Sequence, residues 1–280
     1  MLNKHSLVCF IFEVSTLSEE KSAVVQIGGN IESALKGDYN IDVAAVLREG
    51  WQLTLASRLA INIGLIFVML LGMCTMFVVS MYFGGVENVL QDQQASALAN
   101  IIVTLVVYPF LVGVEMMGIF HAVGIKTHPR LVMAFLRRGS WVAITALLTS
   151  TLVALGLNLL IVPGIFLIVA LSLVLPLVVE KRLSPLKAIA LSVQTTRFQW
   201  FKLFSIYGVL LGVFVLLTLP IVFLSRLDMA VVGIALFIFG MTYLAPWFYN
   251  VKGILYREIY GMQLSVSSSG STGNDNYFAA

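Results

Sequence analysis

A single carboxylate, Glu115, stands deep inside an apolar stretch of this chain, in the run Val112-Gly113-Val114-Glu115-Met116-Met117-Gly118. Tyr108 and Pro109 precede it by about two helical turns, and His121 follows six residues later. In a hydrocarbon layer a carboxylate is protonated, paired, or facing water, because an ionised group left alone there is costly. His121 is a poor partner, since a spacing of six puts two side chains on different faces of a helix. Asn62, Asn158 or Asn250 from another stretch fits better, as does a lysine or arginine reaching in from one end. Glu115, Asn62 and Asn158 therefore form the candidate intramembrane polar site. One reading makes it a proton, cation or substrate contact; the other makes Glu115 a packing residue with one interhelical hydrogen bond.

Other residues with chemical potential read as parts of a membrane surface. Lys181, Arg182, Lys187 and Arg197, with Trp200 and Phe201, form a basic-aromatic belt suited to anionic lipid headgroups. The positive-inside rule produces the same belt unaided. His128 lies between Lys126 and Arg130 as a solvated interfacial histidine, and Cys9 and Cys74 are too few for a disulfide framework or a metal site. No metal spacing, phosphate-cradling glycine loop or serine-histidine-acid set appears, so the sequence predicts no cofactor and no enzyme.

The elements that position these residues follow from where charge is missing. Of 280 residues 59% are hydrophobic and 11% charged, and the mean hydropathy is +0.97. A soluble domain carries roughly 25% charged residues. Apolar stretches at 59–83, 98–123, 141–162, 165–179, 203–224 and 229–250 predict six spans, because a helix needs about 20 apolar residues to cross a bilayer. The fold class is thus all-α, a polytopic helix bundle with amphipathic interfacial helices. Span four is short and contains Pro176; it tilts little, extends through Glu180, or is partly re-entrant. Pro163-Gly164 forms its link to span three. Pro109, Pro176, Pro220 and Pro246 read as ordinary prolines of spanning helices, and Gly208-x-x-x-Gly212 as a close-packing device with weak dimer character.

Lysine and arginine sort by side. Lys126, Arg130, Arg137, Arg138, Lys181, Arg182, Lys187, Arg197, Lys202, Lys252 and Arg257 fall at one end of the spans, and Arg226 alone at the other. Both termini are therefore expected in the cytoplasm. The same sorting accounts for the net charge of +3 without a nucleic-acid partner; the expected partners are the bilayer, other membrane proteins or a second copy. Before each odd-numbered span lies a segment read as an interfacial helix, opened by Asp42, by Pro129, and by Ser184 with Pro185. Trp51, Trp141 and Trp200 stand near the points of entry. The pattern suggests a threefold repeat of interfacial helix plus hairpin.

Val162-Pro163-Gly164, Pro176, a short charged turn, and Ala188-x-x-x-Ser192 leading to Thr195-Thr196 before an aromatic and basic entry resemble the core of the YciC-type bacterial inner-membrane proteins. The likeness extends over roughly residues 42 to 260. More distantly, the region is similar to the membrane domain of some glycerophosphoryl diester phosphodiesterases, whose catalysis belongs to a separate soluble domain. What the resemblance implies is a bacterial inner-membrane, multi-pass protein without an assigned reaction. Two function classes remain: a non-enzymatic protein acting through partners or lipids, and an ion, lipid or small-molecule transporter using Glu115.

Residues 1–41 read as a poorly ordered arm, 42–262 as the membrane domain, and 263–280, rich in serine and glycine, as a disordered tail. The ending Tyr277-Phe278-Ala279-Ala280 faintly resembles alanine-ended degradation tags.

Overall fold

Long apolar segments satisfy their backbone without water either as helices or as a closed barrel, and the computed structural model takes the helical solution. It describes residues 23–266, divided into two units. The smaller holds β1 (Ala23–Ile27) and β2 (Met262–Val266), paired antiparallel with Ala23 opposite Val266 and Ile27 opposite Met262. The larger, Gly28–Gly261, is helical. It opens with α1 (Ile31–Lys36), whose first turn is capped by the Asn30 side chain and whose end is closed by Gly37 at φ 80°. Residues 23–41 are thus structured, contrary to the expected arm, and 263–266 belong to a strand and not a tail. The degradation-tag likeness at Tyr277–Ala280 lies outside the described residues.

Among the described residues six helical segments are long and apolar enough to cross a membrane, so the fold is an all-α polytopic bundle. Asp42 opens α2 (Val43–Tyr82) by accepting from Ala44 and Ala45 N–H at 2.9 and 3.2 Å. At 1.5 Å per residue α2 is roughly 60 Å long. The expected interfacial helix and first span are one rod, because no proline or glycine pair interrupts them. Then come α3 (Val86–Gln91) and α4 (Gln93–Ala122), the latter capped by Asp92.

The second expected interfacial helix is absent. In its place stand two 3-10 turns, Pro129–Met133 and Leu136–Arg138. Tertiary packing decides this: Val132 presses its backbone against Gly113 of α4, where an added Cβ would meet Val132 Cα at 2.6 Å. His128 is exposed, as expected, and its ring nitrogen caps the first of these turns.

Next, α5 (Gly139–Leu159) and α6 (Ile161–Ala170) are joined through the single extended residue Leu160. Pro163-Gly164 is not the link. Pro163 occupies the first turn of α6, where its missing N–H leaves no bond unmade. The fourth span breaks at 171–173, before α7 (Val174–Glu180). Pro176 causes the break one turn ahead of itself, since it cannot donate to Ser172 C=O and its ring crowds that carbonyl. Pro185 opens α8 (Pro185–Thr196), the one expected interfacial helix that forms separately. A 3-10 turn at Arg197–Gln199 leads into α9 (Trp200–Ser225), and α10 (Ala230–Tyr260) completes the unit.

The core is concentrated at the lysine- and arginine-rich end. In α10 most buried residues lie from Leu244 onward, and in α9 none lies beyond Leu210. Gly208 and Gly212 meet no atom within 4 Å of an added Cβ, so this spacing is not used for packing within the chain. Pro246 leaves the carbonyl of Thr242 without its helical donor, and Asn62 of α2 supplies one, Nδ2 donating to Thr242 O at 2.9 Å. Asn62→Leu is expected to lower stability by about 1 kcal/mol, the effect of removing one interhelical hydrogen bond in a membrane protein. Thermal unfolding in detergent reads it.

Candidate functional site

The backbones of α4 and α10 touch. A Cβ at Gly118 would stand 2.1 Å from Tyr249 O, and one at Gly253 would stand 2.1 Å from Gly118 O. One turn along α4 from this crossing is Glu115, and beside it on α10 is Lys252. Their side chains are 7% and 8% exposed, and Lys252 Nζ donates to Glu115 Oε1 at 2.7 Å. Among the described residues Glu115 Oε2 has no hydrogen-bond partner. The centroid of the Phe248 ring is 5.9 Å from Lys252 Nζ.

Asn62 and Asn158 do not join this site. Asn62 repairs the Pro246 break, and Asn158, exposed, donates to Ala154 O of its own helix. Asn250 serves a different network. Its Nδ2 donates to Thr54 Oγ1 at 3.0 Å and its Oδ1 lies 3.0 Å from His121 Nδ1. Since an amide oxygen can only accept, this orientation puts a proton on Nδ1. Nε2 of His121 meets Thr127 Oγ1 at 2.7 Å, and Ser57 Oγ lies 3.1 Å from Nδ1.

Toward the basic end the pattern repeats. Arg257 holds Glu49 of α2 bidentately, Nη1 to Oε1 at 2.6 Å and Nη2 to Oε2 at 3.0 Å, and donates from Nη1 to Ala122 O at 2.6 Å. Tyr256 donates to Glu180 Oε2 at 2.7 Å, while Lys181 meets Glu180 Oε1 at 3.1 Å. Tyr260 Oη and Thr195 Oγ1 of α8 are 2.6 Å apart. Tyr39, ahead of α2, donates to Thr195 O at 2.7 Å, and burial pushes its hydroxyl up to about 12. Gln199 brackets the same segment, donating to Tyr39 O and accepting from Ile41 N–H at 3.0 Å.

Polar side chains of α10, spaced around its circumference, thus reach four different helices. Asn250 and Arg257 reach α2, Lys252 reaches α4, Tyr256 reaches α7 and Tyr260 reaches α8. In an apolar bundle without a hydrophobic drive between helices, such bonds fix which faces meet.

The basic-aromatic belt divides. Lys181 is held by Glu180 with its side chain 10% exposed. Trp200 turns inward, stacked on Phe204 at 5.0 Å, with its Nε1 buried. These two therefore leave the expected belt. Arg182, Lys187 and Arg197 are exposed beside Leu186 and Phe201, which are 71% and 78% exposed. Arg197 lies over the Phe198 ring at 4.7 Å.

Sequence reasoning allowed a lysine to reach Glu115 but assigned Lys252 to topology, and it missed Tyr256 and Tyr260. One signal was present. The apolar character of α10 continues past Lys252 through Ile254, Leu255 and Ile259, which a solvated end would not require. Neither a family model nor a curated protein nor a solved structure matches the chain. Fold and site define a multi-pass membrane protein.

Proposed function

We propose that the chain is a non-enzymatic bacterial inner-membrane protein of the YciC type, with both ends in the cytoplasm, which acts by binding anionic lipid along α8. The observation that carries this reading is a division of labour among charges. Glu115, Lys252, Glu49 and Arg257 hold helix to helix, whereas Arg182, Lys187 and Arg197 are exposed with large apolar neighbours. Lys187 on α8, Arg182 just before it and Arg197 just after it lie among exposed Leu186 and Phe201, and exposed cations with apolar neighbours suit a negatively charged leaflet. Transport through Glu115 is less well supported, because Lys252 occupies the carboxylate and Asn62 and Asn158 lie elsewhere. The likeness to phosphodiesterase membrane domains transfers no activity.

The double change Lys187→Glu and Arg197→Glu is expected to lower retention of anionic phospholipid roughly tenfold or more, from about 1 kcal/mol per cation at the surface, with the thermal midpoint unchanged. Native mass spectrometry of the gently extracted protein reads the retained lipid. Equal retention by the variant would overturn the proposal.

A further inference from the structure

We propose that the seam between α2 and α10 binds a zwitterionic phospholipid, with Arg58 holding its phosphodiester. The inference is independent of anionic lipid at α8. Arg58 is the last cation of α2 and stands roughly 13 Å along that helix from Glu49, at the border of the apolar run that starts with Leu59. It is half-exposed. Among the described residues no carboxylate pairs with it and no acceptor takes its N–H donors. Helical side chains lean toward the N-terminus of their helix, which in α2 is the basic end, so Arg58 reaches back toward headgroup level. A cation left without a counter-anion on an apolar surface is costly, and a phosphodiester supplies the one negative charge that is missing.

The surroundings of Arg58 are built from aromatic rings. Phe239, Tyr243 and Trp247, four residues apart on α10, form a ladder along the seam. The Arg58 guanidinium carbon lies 4.1 Å from the centre of the Tyr243 ring. Tyr243 in turn stacks on Trp51 of α2 at 6.1 Å, and Trp247 meets Trp51 edge-on at 5.5 Å while donating from Nε1 to Leu47 O at 3.0 Å. A guanidinium held over a ring keeps its fork of donors free to grip a phosphate bidentately. Trp51 is exposed beside it, and an indole face attracts the ammonium that a zwitterionic headgroup carries. Farther along the seam Leu59 and Phe239 are exposed and apolar, as acyl chains require. Anion-binding, ammonium-attracting and acyl-binding surfaces thus adjoin on one face.

Native mass spectrometry of the full chain tests this, from mixed micelles in which phosphatidylethanolamine is the only phospholipid, so that α8 has no anionic lipid to bind. The wild type is expected to retain the lipid, and Arg58→Gln to retain at least about tenfold less, the effect of losing hydrogen bonds to a charged group. The Lys187→Glu, Arg197→Glu form should retain as much as the wild type. Arg58→Lys keeps the charge without the planar fork and should fall between; should Arg58→Gln fail to fold, it decides in its place. A wild type that retains no phosphatidylethanolamine would overturn the proposal. So would a folded Arg58 variant that retains it as well as the wild type, or an equal loss from the Lys187→Glu, Arg197→Glu form.

Discussion

Valine in place of Gly118 is expected to take the bundle apart. The Cβ alone would meet Tyr249 O at 2.1 Å and Tyr249 C at 2.7 Å, and both belong to the backbone of α10, which cannot step aside as a side chain tip can. Separating α4 from α10 by the missing ångström or more would also stretch Lys252 from Glu115 and Asn250 from His121. Overpacking a core costs about 1–3 kcal/mol when side chains can adjust; here the loss should reach or exceed about 3 kcal/mol. The expected result is loss of the monodisperse species in size-exclusion chromatography and a collapsed thermal transition. Gly208→Val is the control. Nothing lies within 4 Å of a Cβ there, so its stability should stay within about 0.5 kcal/mol of wild type. A stable Gly118→Val protein would remove the α4–α10 crossing from the fold.

The second large effect belongs to Lys252. Lys252→Met leaves the Glu115 carboxylate buried without its cation, and breaking a buried pair from one side costs about 3–5 kcal/mol. The double variant Lys252→Met with Glu115→Gln removes the orphaned charge and is expected to recover most of that loss. Replacing both members of a buried pair is far milder than removing one. Unfolding midpoints of the four proteins in the cycle give the coupling. Additive losses would mean that the two side chains do not interact.

The six spans were legible because hydrophobic length is a property of each segment by itself. Glu115 was legible for a related reason, since an acid among Val, Met and Gly stands out wherever its partner lies. Its partner was not legible. Lys252 sits beside Asn250 near the end of a span, where a lysine ordinarily snorkels to the surface, and only the approach of α4 at Gly118 turns it into a core residue. Asn62 misled for a similar reason. Its role depends on Pro246, 184 positions away in sequence, whose missing N–H frees the carbonyl that Asn62 meets. Where the second interfacial helix was expected, the Val132 backbone lies against Gly113 of α4, a contact between segments that neither stretch announces by itself. The Trp200 side chain, assigned to the headgroup belt by its position at a span entry, found Phe204 and Phe166 instead.

The most direct measurement is native mass spectrometry of the protein released gently from its own membrane, beside its Lys187→Glu, Arg197→Glu form. Division of the charges into helix fasteners and an exposed lipid-binding helix predicts anionic phospholipid retained on the wild type and largely lost from the variant, with both remaining folded. A wild-type chain that carries no anionic lipid, or that carries instead a stoichiometric polar solute released by Glu115→Gln, would contradict it and make the Glu115 site a transport site.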